Sequence, residues 1–265
     1  MRRAVAGLLL LAALVLLAVA GPPLSPWAWD EIDFTAFGAD PSRRHWLGTT
    51  QNGRDVFAVT VHALRRSLLV GLGAAVLATS LAALTGIAAG YAGGWTDRAL
   101  MGAADLLVVL PPFLVVAVLA PRTDGGALPL VAVLAALLWT TTARMARALT
   151  RTLREREYVR AARLGGVSAP RTIVRHVLPQ LASLLAVDAG LNVGAAIIAE
   201  SGLAHLGFGV RPPDVSLGTL IADGGTAVLA FPWRFAFPAA LLILVVVAAN
   251  LLADGLRDAL DPAVR

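Results

Sequence analysis

Six apolar stretches, at approximately 4–20, 67–91, 99–120, 128–145, 181–203 and 235–253, limit this chain of 265 residues to one environment in which it can fold. A bilayer core about 30 Å thick is crossed by roughly 20 apolar residues in helical conformation. Every stretch reaches or approaches that length, and each is closed by charges, prolines or glycines, as helix ends at a lipid boundary are. A soluble core of this size has no room for 58% hydrophobic residues against 15% charged ones. The expected fold is therefore all-α, a polytopic membrane protein with about six transmembrane helices. It forms a single domain over 1–265: a first span at 1–20, an outer loop at 21–66, and a five-helix core at 67–255 that carries a loop at 149–180.

The first stretch has two readings. Arg2-Arg3, an apolar run and Ala18-Val-Ala20 before Gly21 have the form of a secretory signal with a cleavage site. The run spans 17 residues, longer than a usual signal core, and five more spans follow, so retention as a helix is expected. Orientation follows from arginine placement in short loops. The segment 144–175 holds a dense series of arginines against only Glu155 and Glu157, which makes it the cytoplasmic loop. Counting spans from it puts both termini in the cytoplasm, in agreement with Arg2-Arg3, Arg257 and Arg265. The stretches near 21–66, 121–127 and 204–234 then face outward. Arg43, Arg44, Arg54, Arg65 and Arg66 run against this in the first of them, diluted by Asp30, Glu31, Asp33, Asp40 and Asp55.

Composition also excludes chemistry. All 22 basic residues are arginine, so neither a Walker phosphate loop nor a Schiff-base lysine is available, and the chain is not expected to hydrolyse ATP by itself. Without cysteine there is no disulfide, thiolate metal site or thiol nucleophile. The four histidines, His45, His62, His176 and His205, are scattered, and no metal or cofactor is expected.

The most informative segment is the polar one. Residues 151–164 are good helix formers, and Tyr158, Ala161, Ala162 and Leu164 put a shallow apolar strip on part of the helix surface. Gly165-Gly166 ends that helix. A second short helix is expected from Pro170 to Val177, before Pro179 resets direction into the fifth span. Two uses remain open on these residues alone: docking a partner on the cytoplasmic side, or lying on anionic lipid with the arginines enforcing orientation.

The spacing of Ala161-Ala162, Gly166 and Leu178-Pro179 resembles the EAA loop of ABC importer permeases. His45-Trp-Leu-Gly-Thr-Thr-Gln-Asn-Gly-Arg-Asp-Val56 is similar to the pre-helix motif of the dipeptide/oligopeptide/nickel permease family. Glu200 through Gly209, Val210-Arg-Pro-Pro213 and Asn250 through Pro262 extend the likeness over almost the whole chain from about residue 43. The chain is most similar to the C-type subunit of that family. It departs from the pattern at Arg160, Thr50, Leu217 and Ala253, where a glutamate, an acid, a tryptophan and a glycine are usual.

The resemblance implies a type I ABC importer permease fold in a bacterial inner membrane. It implies four protein partners: a homologous second permease subunit, two cytoplasmic ATPase subunits and an extracytoplasmic substrate-binding protein, with membrane lipid around them and no nucleic acid. It also implies that Glu157, Tyr158, Ala161, Ala162, Leu164, Gly166 and Pro179 couple this chain to an ATPase. The chain itself is then non-catalytic, half of a path for peptides or similar small solutes.

Charges within the spans mark a candidate translocation path. Asp105, Asp188 and Glu200 lie in or at the ends of apolar stretches, where an unpaired ion costs roughly 2.5–3.5 kcal/mol or more at the bilayer centre. Asn192 is one helical turn from Asp188, so both are able to face one side and meet peptide ammonium groups, or to make packing or inter-subunit contacts. Pro111-Pro112 is expected to kink the third span. Gly86-x-x-x-Gly90-x-x-x-Gly94 and Gly190-x-x-x-Gly194 are candidate sites of close helix approach. The region 204–234 is too rich in glycine and proline for one continuous helix and is expected to cap the outer side. Two rivals stay on the table: an ion-coupled secondary transporter, though no inverted pair of broken helices is visible, and an intramembrane enzyme built on Asp105 and Asp188.

Overall fold

The computed structural model describes residues 2–119 and 126–260. Within them the regular structure is helical, apart from an isolated bridge between Thr49 and Asp55. The helices are α1 (Arg2–Ala20), α2 (Val56–Ala92), α3 (Gly94–Val109), α4 (Pro112–Leu119), α5 (Ala127–Arg154), α6 (Glu157–Leu164), α7 (Ala169–Thr172), α8 (Leu178–His205), α9 (Leu217–Gly225) and α10 (Pro232–Leu260). Most of the expected outer turn at 121–127 lies outside the described residues, as do Pro262 and Arg265.

Five helices are long and apolar enough to cross a membrane: α1, α2, α5, the run Ala169–His205, and α10. The stretch expected as the third span is divided. Where a kink is expected at Pro111-Pro112, the helix stops and restarts. Leu110, forced out of the helical region by the proline after it, is extended at φ −74° and ψ 125°. Pro112 then opens α4 at the position where a missing N–H costs nothing.

The second span also differs from the sequence reading. It begins at Val56, well before the expected 67, so the outer loop ends at Asp55. The Asp55 carboxylate accepts the Ala58 N–H at 2.8 Å and caps the helix. Its first turns carry His62 and Arg66, which hydropathy alone rejects, and both meet Asp214, at 2.9 and 3.0 Å. At 37 residues the helix runs about 55 Å. It therefore projects beyond a core of about 30 Å.

Contacts fix the directions of the helices. Ala4 packs on Gly255 and Gly7 on Leu252, so α1 and α10 are antiparallel. Gly71 meets Ile197 and Thr79 meets Asp188, while Gly190 meets Ala253 and Gly194 meets Val246, so α8 runs against both α2 and α10. Gly73 meets Val131 and Gly90 meets Thr150, so α2 and α5 are parallel. One end of the bundle thus holds the start of α1, the end of α10, the α2–α3 junction and the arginine-rich loop. The other holds the 21–55 loop and α9.

Small residues make the close approaches. A Cβ at Gly86 would lie 2.5 Å from the Ala143 carbonyl oxygen, and one at Gly90 would lie 2.7 Å from that of Arg147. Gly190 serves α10 in the same way, a Cβ there lying 2.9 Å from the Ala253 Cβ, whereas a Cβ at Gly194 would make only ordinary contact with Val246 and Gly94 faces open space. Leu64, Leu134, Leu181 and Ile197 fill the spaces between helices. Gly86→Val should destabilise the protein by about 1–3 kcal/mol through overpacking, while Gly102→Ala, with nothing within 4 Å, should be tolerated. Thermal unfolding of the two variants in the same detergent checks the contrast.

Candidate coupling surface and membrane path

The arginine-rich loop is a fixed structure. Where one helix is expected over 151–164, α5 stops at Arg154 and α6 starts at Glu157, because Arg156 between them is extended at ψ 143°. A two-bond lock closes α6. The Gly166 N–H donates to the Arg163 carbonyl at 3.1 Å, and the Val167 N–H donates to that of Ala162, also at 3.1 Å. This is the Schellman arrangement, which needs a left-handed residue after the cap. Gly166 supplies it at φ +79°, whereas Gly165 sits at an ordinary −73°.

Val159, fully buried, pins α6 to the bundle. The Arg163 guanidinium lies 5.8 Å over the Tyr91 ring, and the Tyr91 carbonyl accepts from Arg154 at 2.9 Å. With Val159 turned inward, Tyr158 and Leu164 are left 45% and 88% exposed. Glu157 and Ala161 are exposed beside them, and Ala162 is half-buried.

Pro179 does not reset the chain direction. The helix runs without interruption from Ala169 to His205, through a π turn at Ile173–Val177. A proline inside a helix clashes with the carbonyl four residues before it. Here that residue is Arg175, within the wider π turn, which gives the ring room. The second half of the polar loop, from Ala169, and the fifth span are therefore one rod.

A carboxylate that the sequence reading passed over organises this end. Asp97, on the first turn of α3 and 7% exposed in its side chain, takes hydrogen bonds from Arg147 (Nη2 to Oδ2, 2.7 Å; a second from Nε) and from Arg151. The signal lay in Arg147 and Arg151, one turn apart on α5 and in need of a shared acid. Asp105 is exposed and pairs with Arg144 at 2.7 Å.

Of the four path candidates the fold brings two together. Asn192 donates to Asp188 at 2.7 Å, and Thr79 of α2 lies 3.5 Å from the same carboxylate oxygen. Asp188 borders a cavity of about 470 Å³, otherwise mostly apolar, with Ser183 and Arg257 on its wall. Asp105 lies apart from this cluster. Glu200 is fully buried and faces α9: Ser216, which caps that helix, donates to it at 2.6 Å. The Leu217 N–H also donates to Ser67 of α2 at 3.0 Å. Glu200 thus fastens the outer cap to the bundle.

The pre-helix motif closes on itself. Buried His45 sits between Asp55 (Nδ1, 2.9 Å) and Asp33 (Nε2, 3.3 Å) and stacks on Trp27. Hydrogen bonds from Thr35, opposed by burial and aided by His45 and Arg44, hold the Asp33 carboxyl down at about 2. Gly48 and Gly53 take positive φ in the turns that bring Thr49 beside Asp55.

A helical, multi-pass membrane protein with a rigid polar elbow at one end is the class these features define. Residues 82–265 match the model of the family described as "Binding-protein-dependent transport system inner membrane component". The chain belongs to this family of permeases. It is 53% identical to the "Oligopeptide transport system permease protein OppC" of Mycobacterium tuberculosis (strain ATCC 25618 / H37Rv), over all of this chain and 91% of that protein. It is 42% identical to a "Putative peptide permease protein" of Brucella suis biovar 1, covering 98% and 87% of the two chains. To the OppC of Bacillus subtilis (strain 168) it is 34% identical, over 99% and 86%. Membership sets the ion-coupled alternative aside.

Arg147→Ala should leave Asp97 with Arg151 alone. The expected loss is roughly 2–3 kcal/mol, short of the full cost of breaking a buried pair. Thermal unfolding checks this, and adding Asp97→Asn should restore much of the loss.

Proposed function

We propose that this permease forms half of the membrane path of an ATP-driven importer of peptides, with its arginine-rich end in the cytoplasm. Its partners are a homologous second permease, two cytoplasmic ATPase subunits and an extracytoplasmic binding protein. The permeases it resembles over most of their length are named for oligopeptides or peptides, which supports the cargo class. The orientation is supported by the crowding of arginines at one end and by the mixture of both charge signs at the other.

The observation that carries the coupling role is the rigidity of α6 together with its outward apolar face. Leu164 and Ala161 are exposed in the single chain and Tyr158, beside His176, is 45% exposed; a groove on an ATPase subunit provides a cover for them. Displacement of α6 passes through the Gly166 lock into the rod Ala169–His205, and so to Asp188 and Asn192. A flexible loop would absorb such a displacement. Energy enters in trans, since this chain has no lysine for a phosphate loop.

On this account Asp188, held by Asn192 and Thr79 at the edge of the apolar cavity, meets the ammonium group of a passing peptide. Asp105 and Glu200 have other duties, the first with Arg144 and the second with α9.

Two outcomes follow. Gly166→Val places a branched side chain at φ +79°, a strain on the order of 1–3 kcal/mol, with no atom within 4 Å to clash. Insertion into the membrane should persist while ATP hydrolysis no longer drives uptake; Gly165→Ala should retain coupling. Vesicle uptake and hydrolysis measured together decide it, and normal coupled uptake in Gly166→Val rejects the docking role. Asp188→Asn should cut tripeptide uptake severalfold without loss of assembly. An unchanged rate would leave Asp188 a packing contact only.

A further inference from the structure

The end of the bundle opposite α6 holds a second cavity, of about 370 Å³. Its wall is assembled from four places distant in the chain: the turn before α2, the first turns of α2, the α9 helix and the start of α10. Thr50, Asn52 and Thr60 give it a polar lining, and Arg54 and Arg234 bring two guanidinium groups to it. Among the described residues neither arginine has a carboxylate within ion-pair distance. Arg54 Nε and Arg234 Nη2 are buried donors without an acceptor, and Thr60 Oγ1 is buried without a partner.

Arg234 is held in place. Its Nε donates to the Thr49 carbonyl at 3.0 Å, and its guanidinium lies 3.9 Å over the Phe231 ring. Buried donors of this kind ordinarily have partners, and the arginine fork matches a carboxylate in geometry and charge. One acid, Asp223, also borders the cavity. The volume falls at the lower end of the roughly 300–1,000 Å³ typical of small-molecule pockets. The cavity therefore offers two cations, one anion and a polar wall to something small.

We propose that this cavity is an outer recognition site for a short peptide. Arg54 and Arg234 take its terminal carboxylate and Asp223 takes a cationic group. The proposal rests on the peptide-importer reading, and it adds a site on the side from which cargo arrives. A peptide received here has its carboxylate fixed before it moves toward the apolar cavity at Asp188. The same two arginines would also suit an acidic side chain of a docked protein, so the test separates the two sources.

The assembled transporter, in lipid nanodiscs without binding protein or ATP, is titrated with radiolabelled trialanine and with trialanine amide. Wild type should bind the free acid at least tenfold more tightly than the amide. Arg54→Gln should remove that preference, and Arg54→Lys, which keeps the charge and loses the fork, should fall between them. Among the described residues the Arg54 side chain makes no hydrogen bond, so co-elution of the variant complex on size exclusion reports its integrity. Equal binding of acid and amide by wild type overturns the site, as does absence of trialanine binding. If Arg54→Gln instead weakens capture of the binding protein and leaves trialanine binding intact, the carboxylate belongs to a docked protein and the proposal falls. Uptake of trialanine by vesicles carrying the complete importer is scored in parallel. Uptake without acid–amide discrimination sinks the cavity alone, and no uptake sinks the peptide reading beneath it.

Discussion

Gly86 and Gly90 let the backbone of α2 rest against the carbonyls of Ala143 and Arg147 on α5, and the working end of the molecule depends on that contact. The two helices run parallel, so their ends emerge together. Arg147 and Arg151 therefore reach Asp97 on α3, and Arg154 reaches the carbonyl of Tyr91. The Tyr91 ring then lies under Arg163 and seats α6. A larger residue at either glycine would separate the helices and disperse this set of charges. Small residues act here as positional devices, since apolar attraction between helices is weak in lipid and close packing must do the holding.

From α6 the connection continues through backbone geometry. The left-handed Gly166 reverses the chain, and the π turn at Ile173–Val177 carries the helix past Pro179 without a break. One rod then reaches from Ala169 to the outer cap, where Glu200 holds Ser216, the cap residue of α9. On the proposed coupling, a push on α6 passes through the Gly166 lock and along this rod. The polar pair Asp188 and Asn192 sits along this rod.

Much of this was legible in the sequence, because lipid turns helix length and charge placement into strong signals. Apolar runs located the spans, and the arginine series located the elbow. The Gly-Gly pair marked the end of α6, although only geometry shows that Gly166 carries the left-handed turn. The start of α2 was hidden because His62 and Arg66 look like loop residues until Asp214, far along the chain, is seen to meet them. Asp97 was passed over for a similar reason: its partners lie on another helix. Glu200 looked like a path residue because an acid near an apolar stretch is costly, and its partner, Ser216, lies within the region read only as irregular. Long-range pairing of polar groups was the information that periodicity lacked.

The central claim is that α6 receives force from a separate ATP-hydrolysing subunit on the cytoplasmic side. The chain has no cysteine, so Leu164→Cys gives a single attachment point on the exposed face of α6. Labelled there with a maleimide benzophenone in the assembled transporter and irradiated, the variant should cross-link to the ATPase subunit. Cross-linking to lipid alone, or reaction of the introduced thiol in intact cells with a maleimide that does not cross membranes, would contradict the account.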